Sequence, residues 1–159
     1  CDMKITLLAV GKTDDSRMEQ LTQMYVDRLQ HYINFELEII PDLKKTKNLS
    51  EEQQKNEEGK LILNKLEKSD FITLLDEKGK KYSSLQFAEL INKRSVSGLK
   101  RLVFVIGGPY GFSPDVYARS NSKLSLSDMT FSHQMVRLFA VEQVYRAFTI
   151  LKNEPYHHE

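Results

Sequence analysis

The chain has 159 residues, 40% of them hydrophobic and 28% charged, with a formal net charge of +1. That size suits one domain with its own core, and the near-neutral balance excludes a grossly basic nucleic-acid-coating protein while leaving room for a local RNA-binding patch. A single cysteine excludes an internal disulfide and points to the reducing cytoplasm, and the short, charge-interrupted apolar runs predict neither a membrane span nor a signal peptide.

Met3-Lys4-Ile5 reads as a start, so the expected domain is 3–159, with Cys1 and Asp2 an N-terminal extension or expression remnant. The first strand pattern covers residues 4–10, and a helix pattern follows over 14–31. A second strand is expected at 36–40. Residues 41–68 are rich in Lys, Glu, Asn and Gln and read as a solvated loop and helix, the helix opening at the capping box Ser50-Glu51-Glu52-Gln53. A lid or RNA-facing flap is the functional alternative for this stretch. Strands at 70–75 and 102–106 flank a helix at 83–97. Ser113-Pro114 is an N-cap with proline at the first helical position and opens a short helix. The fifth strand is expected at 123–127, and the last helix at 131–152. The runs at 4–10, 70–75 and 102–106 are almost wholly apolar, as buried parallel strands are. Strands alternating with helices predict an α/β domain, a mainly parallel sheet flanked by helices in a Rossmann-like arrangement.

Two strand ends carry the candidate chemistry. The strand at 102–106 stops at Gly107-Gly108-Pro109-Tyr110-Gly111, where glycines let a ligand approach the backbone. The spacing is neither the dinucleotide fingerprint nor the P-loop. The strand at 123–127 runs into Leu126-Ser127-Asp128-Met129-Thr130-Phe131, whose main chain could bind a purine edge between Leu126 and Phe131, or which is an ordinary loop capped by Thr130 or Ser132. The last helix is apolar nearly all round, which predicts burial on two sides and a homodimer through it. Arg137, Glu142 and Arg146 interrupt it, and Glu142 and Arg146, four apart, can pair. No histidine or cysteine spacing suits a metal, and no serine elbow suits a hydrolase.

These residues resemble a known family. Met3-Lys4-Ile5, Ala9-Val10-Gly11-Lys12, Phe104-Val105-Ile106-Gly107-Gly108 with Gly111, Met129-Thr130-Phe131, His133-Gln134-Met135, Glu142-Gln143-Val144-Tyr145-Arg146-Ala147 and Pro155-Tyr156-His157 together are similar to the SPOUT-class bacterial methyltransferases that modify N3 of a pseudouridine in 23S ribosomal RNA, the RlmH family. Ser132 departs from the proline expected in many relatives, but serine still caps the helix. The resemblance implies a C-terminal trefoil knot, S-adenosyl-L-methionine as donor with no metal, a homodimer, and 23S rRNA on the 70S ribosome as substrate. It assigns donor binding to Leu75, Gly107, Leu126, Ser127, Asp128, Met129, Thr130 and Phe131. His133, Arg137, Arg146, Tyr156 and His157 become the candidates for proton removal or substrate positioning. The rival readings are a non-catalytic nucleotide- or RNA-binding module and an enzyme acting on a small phosphorylated metabolite.

Overall fold

The computed structural model describes residues 3–44 and 46–158, so Cys1 and Asp2 lie outside the described residues. Its elements in chain order are β1 (Lys4–Val10), α1 (Ser16–Leu29), β2 (Asn34–Ile40), a short 3-10 turn at Thr46–Asn48, α2 (Glu51–Asn64), β3 (Phe71–Lys81), α3 (Ser84–Val96), β4 (Arg101–Ile106), α4 (Pro114–Arg119), β5 (Ser122–Ser125) and α5 (His133–Leu151). The strands form one sheet in the order β2-β1-β4-β3-β5, every pairing parallel. The expected single α/β domain with a parallel sheet is therefore what the chain adopts.

Alternation along the central strands builds two cores. Ile5, Leu7 and Ala9 of β1 and Leu102, Phe104 and Ile106 of β4 face α1, α3 and α5. Leu8 and Val10, with Val103 and Val105, face α2 and α4 on the opposite side. Successive strand side chains point to opposite faces, so a strand buried on both faces has to be apolar throughout. Helix α5 lies against both α1 and α3. Much of its all-round apolarity is thus spent within one chain, and only part remains for a second subunit. Among the described residues no helix is long and apolar enough to cross a membrane.

Besides shifts at other element ends, such as β5 ending at Ser125 rather than 127, three expectations are corrected. Strand β3 continues past Leu75 to Lys81, with a bulge before Lys80 and Lys81 resume pairing with Leu124 and Ser125. The polar run Asp76-Glu77-Lys78-Gly79 reads as a loop, but Gly79 passes so close to β5 that a Cβ there would lie 2.5 Å from the Leu124 nitrogen. Helix α5 begins at His133 rather than Phe131, because the Ser132 hydroxyl accepts the Met135 N–H and fixes the cap. The stretch 41–68 is not wholly solvated, since α2 buries Glu58, Gly59 and Ile62. Gly59 lets α2 approach α4, where a Cβ would lie 2.4 Å from the Ser113 hydroxyl.

Candidate active site

Because all strands are parallel, the loops after β1, β3, β4 and β5 gather at one end of the sheet, where open α/β folds bind ligands. A cavity of about 140 Å³ opens there. Leu75, Asp76 and Glu77 line one side, Leu126, Ser127, Met129, Thr130 and Phe131 the other, and Val136 of α5 the floor. Of the expected donor residues, Leu75 and five of the six in loop 126–131 therefore meet around one space. Asp128 points outward, its side chain 81% exposed and paired with Lys81. The loop is shaped by its own serines, for Ser127 Oγ accepts the Met129 N–H and the Ser125 hydroxyl donates to the Ser127 carbonyl, each at 3.0 Å. Asp76 is a fixed acceptor at the rim, taking the Tyr117 hydroxyl at 2.5 Å and the Lys78 N–H at 3.1 Å. Burial, followed by the bond to Asp76, pushes the Tyr117 phenol up to about 12. Behind the same loop a second cavity of about 330 Å³ is lined by Tyr82, Phe87, Leu126, Phe131, Phe139 and Gln143 among others.

Gly107 stands beside this space rather than on its wall. A Cβ there would lie 2.9 Å from the Phe112 ring. The Gly107 carbonyl accepts from His133 Nε2 at 2.6 Å, and His133 Nδ1 lies 3.3 Å from Arg137 Nη2. A carbonyl only accepts and a guanidinium only donates, so the ring is the neutral tautomer with its proton on Nε2. Both nitrogens are then occupied. Burial pulls the His133 pKa below its ordinary value, the Gly107 carbonyl opposes this, Arg137 adds to it, and Asp42 opposes it. Arg137 is only 2% exposed. It donates to the Gly11 carbonyl and Thr13 Oγ1, each at 2.8 Å, and to the Val10 carbonyl at 3.3 Å. The first turns of α5 thereby tie the end of β1 to the end of β4.

Arg146, Tyr156 and His157 form a separate group. Glu142 Oε1 accepts Arg146 Nη2 at 2.7 Å and the Tyr156 hydroxyl at 3.0 Å. The Arg146 guanidinium lies 4.8 Å from the Tyr156 ring centre, and its Nη1 donates to His157 Nδ1 at 3.1 Å. Helix α1 holds the tail as well, through Tyr25 Oη 3.3 Å from Tyr156 Oη. Just beyond α1, Tyr32 donates to Glu154 at 2.6 Å. Burial raises the Tyr156 pKa, with Tyr25 and Glu142 adding to it. Arg137 and Arg146 stand nine positions apart, roughly 13 Å along the axis and half a turn out of phase, so one chain does not bring the two groups together. Sequence reasoning missed Asp76, Tyr25 and Glu58. For Glu58 a signal existed, namely its place four residues before Ile62 and beside the helical Gly59.

A methyltransferase of the parallel α/β type, with its cleft between the β3 and β5 ends, is the class this arrangement suggests. The family model described as "Predicted SPOUT methyltransferase" matches residues 3–157. Ribosomal RNA large subunit methyltransferase H of Christiangramia forsetii is 68% identical over 156 residues, 98% of this chain and 99% of the relative. The protein of the same name from Flavobacterium psychrophilum is 60% identical over 157 residues, 99% of this chain and 100% of the relative. A structure described as that of "a probable methylase family protein" from Haemophilus influenzae shares the fold, with TM-score 0.55 at 10% identity over 98% of this chain and 70% of that one. The chain belongs to the SPOUT methyltransferase family, in its RlmH branch.

Proposed function

We propose that this chain is an S-adenosyl-L-methionine-dependent methyltransferase of the large-subunit ribosomal RNA, acting on N3 of a pseudouridine in 23S rRNA, as a homodimer on the assembled ribosome in the cytoplasm. The observation that carries the reading is the 68% identity, over nearly both whole lengths, to a ribosomal RNA large subunit methyltransferase H. The cleft suits such a donor. Leu75, Leu126, Phe131 and Val136 offer apolar faces to a purine, and Asp76 and Glu77 place carboxylates where a cationic ligand enters. The bound donor supplies an electrophilic methyl group on a sulfonium.

The protein's own part is orientation and handling of the N3 proton. His133 and Arg137 act as positioning residues, because every acceptor and donor they present toward Gly107, Gly11 and Thr13 is engaged. Arg146, Tyr156 and His157 face the RNA. Arg146 offers a cation to phosphate or to a deprotonated base, and Tyr156 offers a ring on which a base can stack. Within one chain this group is displaced along α5 from the cleft, so a cleft completed by the partner's tail is the arrangement that unites donor and substrate. The knot that the resemblance implies belongs to the same reading.

Calorimetric titration with S-adenosylmethionine and S-adenosylhomocysteine comes first, followed by methyl transfer to 70S ribosomes, 50S subunits and free 23S rRNA with the modified base mapped. Donor binding with transfer to a single pseudouridine supports the proposal. A folded protein that binds rRNA but neither ligand would overturn it in favour of a binding module.

A further inference from the structure

Among the described residues, Glu58 is one of four with a buried side-chain polar atom that makes no hydrogen bond. It projects from α2 into the core and is only 4% exposed, and its Oε1 has no hydrogen-bond partner. A buried carboxylate in that condition is expensive, and such groups persist where something else depends on them. What it faces is Gly108. A Cβ at Gly108 would lie 2.4 Å from Oε1 and 2.7 Å from Oε2, so the glycine's backbone rests directly on the carboxyl group. The following residue, Pro109, has no N–H with which to answer the carboxyl. On the other side of the same dipeptide, His133 holds the Gly107 carbonyl at 2.6 Å. The two glycines are thus gripped between α5 and α2, and neither grip touches the cleft.

We propose that Glu58 is a positioning residue for the loop after β4, its carboxyl group forming the seat on which Gly108 lies and through which Gly107 is held beside the donor cleft. This rests on the donor reading given above. The groups around the seat act on it in both directions. Burial raises the Glu58 pKa, a hydrogen bond with Gln54 opposes this, and the negative charge of Asp42 raises it further. From α5, His133 and Arg137 face the same loop ends and also feel Asp42. His133 titrates on the acid side of its ordinary value.

The test is calorimetric titration of the full chain with S-adenosylhomocysteine for wild type, Glu58→Gln and Glu58→Ala, with thermal melts of each. Glu58→Gln keeps the shape of the seat and should bind within about twofold of wild type, whereas Glu58→Ala removes the seat and should weaken binding about fivefold. Equal affinities for all three would overturn the proposal. A second arm needs no ligand. Gly108→Ala should lower the melting temperature, and Glu58→Ala should restore part of that loss by removing the atoms the new methyl group strikes, whereas additive losses would overturn the seat. Absence of binding by all three proteins would sink the donor reading instead, leaving the melts to decide on Glu58.

Discussion

Single side chains divide into those that hold the loops and those that meet the substrate, and the two kinds respond to different probes. His133 belongs to the first. Its folded pKa lies below the ordinary 6.5, so the neutral ring is favoured by folding. The stability it contributes is fully present above pH 6.5 and is lost as pH falls through the lowered folded value, when a proton on Nδ1 would set two cations against each other beside Arg137. Melting temperatures measured from pH 7.5 down to pH 5 should therefore drop more steeply for wild type than for His133→Gln, which can still donate to Gly107 but does not titrate. Parallel curves would mean that His133 makes no difference to the acid limb. Tyr156 is proposed to belong to the second kind. Tyr156→Ala should weaken methyl transfer by roughly ten- to a hundredfold, the scale of one base stacked on an aromatic ring, and leave donor affinity nearly unchanged. An equal loss of donor affinity would make the tail part of the donor pocket.

At the scale of elements, the sheet was legible because buried parallel strands leave a pattern that nothing else does. The runs at β1 and β4 are apolar at every core-facing position but Thr6, and they could be placed to within a residue. What was not legible depended on partners distant in sequence. The second half of β3 is polar and pairs only because β5 happens to lie beneath it, with Gly79 removing the obstruction. Glu58 looked like one more acid in a solvated run, and only its place beside Gly59 and four residues before Ile62 marked the buried face of α2. In the candidate site the structure brings Leu75 and five of the six residues of loop 126–131 around one cavity, with Asp128 turned outward and Gly107 to one side, where His133 holds its carbonyl. Gly79→Ala tests the β3 extension. A methyl group pressed on the Leu124 backbone should cost about 1–3 kcal/mol in urea-unfolding free energy, with a larger relative loss of donor binding than an exposed control such as Lys78→Ala. An unchanged unfolding curve would show that the bulge yields freely.

For the whole molecule the question is how donor cleft and tail come together. Val136 lines the cleft, and Arg146 anchors the tail ten residues later on the same rigid helix, roughly 15 Å away along its axis. No bending of α5 can close that gap without breaking the packing that joins it to α1 and α3. A two-fold partner can, because an isologous contact sets one end of a surface against the other end of its copy. The half-buried apolar residues around the second cavity, Phe131 and Phe139 among them, give such a contact its core. Phe139→Glu should then sediment as a folded monomer without methyl transfer, while the wild type sediments as a dimer. Mixing separates a composite site from a merely stabilising contact. A cleft variant, Leu126→Arg, and a tail variant, Tyr156→Ala, are each expected to be nearly inactive alone. After co-refolding at equal amounts, half of the dimers carry one of each chain, and in these one of the two sites has both parts intact. About a quarter of wild-type activity should therefore return. If every site were built from a single chain, no mixture could recover activity above the sum of its inactive parents.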